Sequence, residues 1–119
     1  MPDLAPVFAE LRAILAPYAE HMTATRDTDA ELYLDTRTRQ ANGTPQFFGA
    51  VQVGKGAVRY HLMPVYVRPE LLATMSDGLR KRMKGKSCFA FSSVDPVLFD
   101  ELGALTRAGF DSYRDQGLV

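Results

Sequence analysis

The chain has 119 residues, of which 46% are hydrophobic and 24% are charged, and its formal net charge is zero. This composition is typical of one soluble globular domain over residues 1–119 and excludes a disordered chain. The single cysteine excludes an internal disulfide, and no apolar run approaches the ~18 residues of a membrane span. Residues 1–4 lack the basic start and apolar block of a signal peptide. We therefore expect a cytoplasmic protein without a membrane partner.

The charges are unevenly distributed along the chain. Residues 1–35 carry seven acidic and two basic side chains, whereas residues 36–86 carry ten basic and two acidic ones. The remaining residues are acidic again, with five acidic and two basic side chains. A middle section this basic predicts contact with a phosphate or carboxylate. The alternative is that the basic section packs beside the acidic ones and is neutralised by them.

The N-terminal segment has the pattern of an amphipathic helix. Apolar residues recur at spacings of three and four from Leu4 to Met22. Asp3 is the expected N-cap, and Pro17 predicts a kink or a break because it lacks a backbone N–H. Residues 23–29 are polar and are predicted to form a loop.

Three strands are predicted next, over residues 30–36, 46–53 and 57–63. Asn42-Gly43 favours a hairpin turn because both residues accept positive φ, and a second hairpin is expected at residues 54–56. Alternation in the third strand places Val58, Tyr60 and Leu62 on one face and Arg59, His61 and Met63 on the other.

The second half of the chain is predicted to be mostly helical. Short helices are expected over residues 69–75 and 76–83, a fourth strand over 87–91, and a terminal helix that starts at Asp95-Pro96 and ends near Gly117. This order indicates an α+β domain with an antiparallel sheet of about four strands, a meander plus one. The N- and C-terminal helices are expected to pack on one face of that sheet.

A basic run between residues 80 and 86 is the main candidate for binding. Gly85 lies between two lysines, and a glycine turn flanked by cations exposes backbone N–H groups to an anion. We therefore predict a non-enzymatic binding domain for a small anionic or phosphorylated ligand, with its site where the third strand ends beside this run. The predicted ligand-binding residues are Tyr60, His61, Tyr66, Arg80, Lys84 and Lys86. Nucleic acid is not expected, because the chain is neutral and the run is short.

Other kinds of site have weaker patterns. Cys88 is a candidate nucleophile with His61 as its base, but alternation in its strand predicts a core position instead. His61 has only His21 as a histidine companion, and no Cys/His spacing is typical of zinc, so neither a metal nor a cofactor is predicted. The acidic residues are interpreted as a solvated edge: Glu20, Asp27, Asp29, Glu31 and Asp35. A homodimer is kept open.

The chain resembles a known family in two segments. Residues 60–66, Tyr-His-Leu-Met-Pro-Val-Tyr, and residues 84–89, Lys-Gly-Lys-Ser-Cys-Phe, resemble those of the YdhG-like family of small, mostly bacterial proteins of unknown function. The resemblance extends from the meander through the terminal helix and implies a curved antiparallel sheet flanked by helices. Some members are described as frataxin-like iron chaperones.

That resemblance adds a second functional hypothesis, an iron or metal carrier. It supplies no iron ligands residue by residue, because the N-terminal helix carries only Asp3, Glu10 and Glu20 as acids instead of a dense carboxylate ridge. The third hypothesis is a thiol-dependent enzyme that uses Cys88.

Overall fold

The computed structural model describes residues 3–119, so Met1 and Pro2, part of the segment inspected for a targeting signal, lie outside the described residues. One antiparallel sheet contains five strands in chain order, which are β1 (Thr23–Thr28), β2 (Glu31–Arg39), β3 (Pro45–Val53), β4 (Val58–Leu62) and β5 (Cys88–Phe91). The helices are α1 (Ala5–Leu15), α2 (Met63–Val67), α3 (Asp77–Arg80) and α4 (Pro96–Asp115), with 3₁₀ turns at Ala16–His21 and Pro69–Leu72. The predicted α+β class is confirmed, with five strands instead of about four.

The additional strand is β1, and the predicted loop over residues 23–29 is wrong. The sequence of β1, Thr-Ala-Thr-Arg-Asp-Thr, does not alternate between apolar and polar residues, which is the pattern that predicts a strand, and all six residues are exposed. Hydrogen bonds to β2 hold it in place, with Thr28 opposite Glu31 and Arg26 opposite Tyr33. A polar strand of this kind is typical of a sheet edge, where water solvates both faces.

The N-terminal helix ends where its proline predicted a break. α1 stops at Leu15, and the chain continues as a 3₁₀ turn that contains Pro17. Leu4 occupies the N-cap position, while the Asp3 carboxylate accepts a hydrogen bond from the Ala5 N–H at 3.0 Å. The expected cap residue therefore lies one position too early, although it still satisfies an N–H of the first turn.

The segment between β4 and β5 crosses over the helical side of the sheet. α2 was not predicted, because Pro64 was interpreted as ending β4, whereas it lies in the first turn of α2 where a missing N–H is tolerated. The Ser76 hydroxyl accepts from the Leu79 N–H and caps α3, as its sequence predicted. The Ser76 N–H also donates to the Glu101 carboxylate at 2.7 Å, which ties α3 to α4.

The terminal helix follows its predicted start and end. The Asp95 carboxylate accepts from the Leu98 N–H at 3.1 Å, and Gly117, at φ +76°, ends the helix. Gly109 allows α4 to approach α2, because a Cβ at that position would lie 2.9 Å from the Pro64 Cβ. Any larger residue there would separate the two helices.

All four helices contribute to one core on the same side of the sheet. Leu11, Leu15 and Leu102 are fully buried in it, together with the sheet row Leu32, Val51, Tyr60 and Phe89. The prediction that both terminal helices share one sheet face is therefore confirmed. None of the helices in residues 3–119 is long and apolar enough to cross a lipid bilayer.

Candidate functional site

Two adjacent predicted ligand-binding residues, Tyr60 and His61, lie on opposite faces of the sheet. Tyr60 is fully buried under the helices, where its hydroxyl lies 2.6 Å from the Thr106 hydroxyl. Its inclusion in a ligand site is wrong, because successive strand residues point to opposite faces and this one points into the core. His61 is half-buried on the other face.

The remaining predicted residues lie in the crossover segment. Tyr66 is 54% exposed on α2, and Gly85 makes a turn at φ +87° in which the Lys84 N–H donates to the Cys88 carbonyl at 2.7 Å. Within residues 3–119, Arg80, Lys84 and Lys86 form no ion pair. An anion site at Tyr66, Arg80, Lys84 and Lys86 stays a prediction.

The face of the sheet opposite the helices, called here the open face, carries the polar side chains of the central strands. The strand register places Glu31, Gln52, Arg59 and Ala90 in one cross-strand row. The next row contains Arg26, Tyr33, Ala50, His61 and Cys88. These rows bring together residues that are as much as 62 positions apart in the chain, from Arg26 to Cys88.

A chain of polar contacts crosses β1, β2, β3 and β4 on the open face. Arg26 pairs with one Glu31 oxygen at 3.4 Å, and the Gln52 amide nitrogen donates to the other. The Gln52 amide oxygen lies 3.0 Å from His61 Nε2. Since an amide oxygen can only accept, His61 donates through Nε2, and its ring orientation is fixed from Glu31 through Gln52.

The surroundings of His61 favour its neutral form. Burial lowers the pKa of His61, and the positive charge of Arg59 lowers it further, while Glu31 has a smaller opposing effect. The effect of Arg59 follows from the register, because Arg59 lies one row away on the same face. His61 is therefore a positioned hydrogen-bond donor near neutral pH.

Cys88 lies on the open face and not in the core, so the predicted core position is wrong. It is half-buried opposite His61, because β5 pairs with β4 in a register that puts Cys88 and Phe89 on opposite sides. Burial raises the pKa of the Cys88 thiol, and Arg59 offsets this only in part. Its sulfur contacts the Phe89 carbonyl at 3.8 Å, whereas His61 Nε2 is bonded to Gln52. This geometry does not activate a thiolate.

A groove of about 540 Å³ lies at the end of the open face where the β1–β2 and β3–β4 turns meet. Its charged and amide side chains come from both hairpins, which contribute Arg26, Glu31, Gln52, Lys55 and Arg59. The groove is more open to solvent than enclosed.

The groove has an excess of positive charge. Among the described residues 3–119, Glu31 is the only acidic one that lines the groove, and its carboxylate is already engaged by Arg26 and Gln52. In residues 3–119, Lys55 and Arg59 have no carboxylate partner. Two cations are therefore left to interact with solvent or with a bound anion.

The acidic residues do not gather into a metal site. Asp27 pairs with Arg12 at 3.0 Å, and Glu31 with Arg26. Within the described part of the chain, no group of three or more His, Cys, Asp or Glu side chains is arranged to hold a metal ion. Asp27 and Glu31 thus pair with arginines, and within residues 3–119 no N-terminal acid pairs with the basic run of residues 80–86.

No family model, no curated protein and no solved structure matches this chain. The resemblance to the YdhG-like family accordingly stays a prediction.

Three groove residues were not predicted as a site: Arg26, Lys55 and Arg59. Arg26 was assigned to a loop, and Lys55 was interpreted only as part of a turn. The alternation of β4 did place Arg59 beside His61, and that pattern was the available indication. Arg26 comes close to Arg59 only because β1 pairs with β2, and an all-polar strand has no sequence pattern from which that pairing could be predicted.

Proposed function

We propose that the protein is a non-catalytic binding domain whose open face takes up a small anionic ligand. The observation that carries this proposal is the groove between the two hairpin turns, where Lys55 and Arg59 lack carboxylate partners in residues 3–119. This site lies apart from the basic turn at Gly85 and uses different cations.

The chemistry of the lining residues suits a phosphate or a carboxylate. A guanidinium offers two parallel N–H donors to such a group, and an ammonium adds a mobile point charge. Glu31 would repel an anion if it were free, but Arg26 and Gln52 hold it at the β2 side of the groove. The anion is therefore expected closest to Lys55 and Arg59, on the β3–β4 hairpin.

The metal-carrier and thiol-enzyme hypotheses have less support. A carrier of hard cations uses clustered carboxylates, and no group of three or more His, Cys, Asp or Glu side chains in residues 3–119 is arranged to hold a metal ion. A thiol enzyme uses a lowered cysteine pKa, whereas burial raises the pKa of Cys88. Neither hypothesis accounts for Lys55 and Arg59, which form no ion pair within the described part of the chain.

Titration of the ¹⁵N-labelled protein with inorganic phosphate tests the proposal. Amide signals of residues 28–31 and 52–59 are expected to shift in a saturable way, and the affinity should fall with added sodium chloride as screening grows. Shifts confined to residues 84–88 would move the site to the Gly85 turn. An absence of saturable shifts with phosphate and with acetate would overturn the proposal.

A further inference from the structure

The open face also carries an aromatic platform next to the groove. The rings of Tyr33 and Phe47 stack with their centroids 4.7 Å apart and their planes 28° apart. Both side chains are partly exposed, and they belong to neighbouring central strands, β2 and β3. Aromatic pairs on neighbouring strands stabilise a sheet by packing, and this pair also leaves part of its apolar surface in contact with water.

The register sets the distance between this platform and the groove. Tyr33 is two residues from Glu31 on the same strand and face, which is a separation of about 7 Å along the strand, and Arg59 lies in the Glu31 row two strands away, about 10 Å across the sheet. Arg26 lies directly opposite Tyr33 while its guanidinium reaches Glu31, so it spans both features. A ligand that covers the two features must be anionic at one end and planar at the other.

The aromatic platform is an open surface and not a cleft into which a ring could insert. Ala50 lies between Tyr33 and His61 in the same row, yet it is fully buried, so the surrounding side chains close over it. Because each ring already covers one face of the other, a planar base would extend the stack on the outer face of one ring, as bases do on exposed rings of sheet surfaces. The Asp35 carboxylate belongs to the residue opposite Phe47, and His61 Nδ1, the ring nitrogen that is not bonded to Gln52, belongs to the row of Tyr33, so both lie at the margin of the platform.

We propose that the ligand of the open face is a nucleoside phosphate, whose phosphate binds Lys55 and Arg59 in the groove while its base extends the stack formed by Tyr33 and Phe47. This inference rests on the proposed function and names its ligand class. A phosphate alone would use only the groove, and an uncharged aromatic compound only the platform.

Four probes separate the two contributions: inorganic phosphate, ribose phosphate, adenosine and adenosine monophosphate. Their dissociation constants are measured by the shifts of amide signals in the ¹⁵N-labelled protein. Adenosine monophosphate is expected to bind roughly 5- to 150-fold more tightly than ribose phosphate, the range for one stacked base. Equal affinity of these two probes overturns the nucleotide inference but leaves the anion site standing. No binding by any phosphate overturns both.

Variants assign each contribution to its residues. Tyr33→Leu keeps an apolar side chain over Ala50 and is expected to remove the advantage of adenosine monophosphate while ribose phosphate binds as before. Tyr33→Phe should keep that advantage. Arg59→Ala should weaken both phosphate probes, whereas the matched control Arg80→Ala, which removes an exposed arginine of the crossover, should not.

A measurement on the unaltered protein covers the case in which Tyr33→Leu does not fold. Nuclear Overhauser contacts between the base protons of adenosine monophosphate and the ring protons of Tyr33 or Phe47 are expected. Base contacts elsewhere would contradict the inference. A short single-stranded oligonucleotide distinguishes a free nucleotide from one within a strand: affinity that increases with length identifies the strand, and equal affinity identifies the free nucleotide.

Discussion

The two faces of the sheet are built from alternating residues of the same strands, yet they have opposite chemistry. On the helical face, β4 contributes Tyr60, which is fully buried and bonded to Thr106. On the open face, the next residue, His61, donates to an amide that is bonded to a carboxylate. Adjacent residues of one strand therefore serve different purposes, stability on the helical face and the proposed binding on the open face. Substitutions on the two faces should accordingly change either stability or binding, and not both.

The largest effect is expected in the core. Leu102→Ala removes a fully buried side chain where α4 packs on the sheet, and it should lower the free energy of unfolding by about 2–5 kcal/mol. Arg59→Ala on the open face is the matched contrast and should change that free energy by less than about 0.5 kcal/mol. Urea unfolding followed by circular dichroism measures both. Similar losses in the two variants would break the distinction between the faces.

A smaller effect is expected from the hydroxyl of Tyr60. The Thr106 hydroxyl donates to the Leu102 carbonyl at 2.8 Å, so the Tyr60 hydroxyl donates to Thr106. Tyr60→Phe should therefore cost about 1 kcal/mol, the typical net value of one hydrogen bond. Phosphate affinity, measured by the same titration as for the groove, should not change. A loss of phosphate binding in a folded Tyr60→Phe protein would restore this tyrosine to the site.

A pH-dependent effect is expected from His61. Its pKa is lowered in the folded protein, so between that value and about 6.5 the unfolded chain binds more protons. Stability should accordingly rise with pH through this window and be lost as the pH falls through it. His61→Gln should remove this part of the pH dependence when urea midpoints are compared at several pH values. Identical slopes in the two proteins would show that His61 titrates as it does in the unfolded chain.

The smallest effect on stability is expected at Cys88, where the observable is a rate. Because burial raises the pKa of this thiol, it should react with a disulfide reagent more slowly in the native protein than in denaturant. The absorbance of the released thiolate follows the reaction, and Cys88→Ser provides the blank. Faster native labelling would favour the thiol-enzyme hypothesis instead.

The core was largely predictable from the sequence, and the open face was not. Apolar spacing identified the buried residues of α1 and α4, and turn residues such as Asn42 and Gly43 located the first hairpin. The candidate site depends on which strands are neighbours, and that information is absent from a polar edge strand. β1 was therefore not predicted as a strand, and Arg26 was not predicted as a site residue.

The same limit explains the errors at individual residues. The sequence predicted a binding site near Gly85 because several cationic residues lie close together in that part of the chain. Lys55 and Arg59 are only two cations on one hairpin. They line a groove because residues of β1 and β2 form its other wall. Cys88 and Tyr60 were assigned to the wrong surroundings because alternation gives two faces without saying which one the helices cover.

The central claim is that the unpaired cations of the open-face groove bind the anion, and two double variants test it most directly. Phosphate affinity is measured by amide shifts in Lys55→Ala with Arg59→Ala, and in Lys84→Ala with Lys86→Ala as the charge-matched control. The first pair of substitutions is expected to abolish saturable phosphate binding, and the second pair is expected to leave the dissociation constant unchanged. The reverse result, binding lost only with Lys84 and Lys86, would contradict this claim.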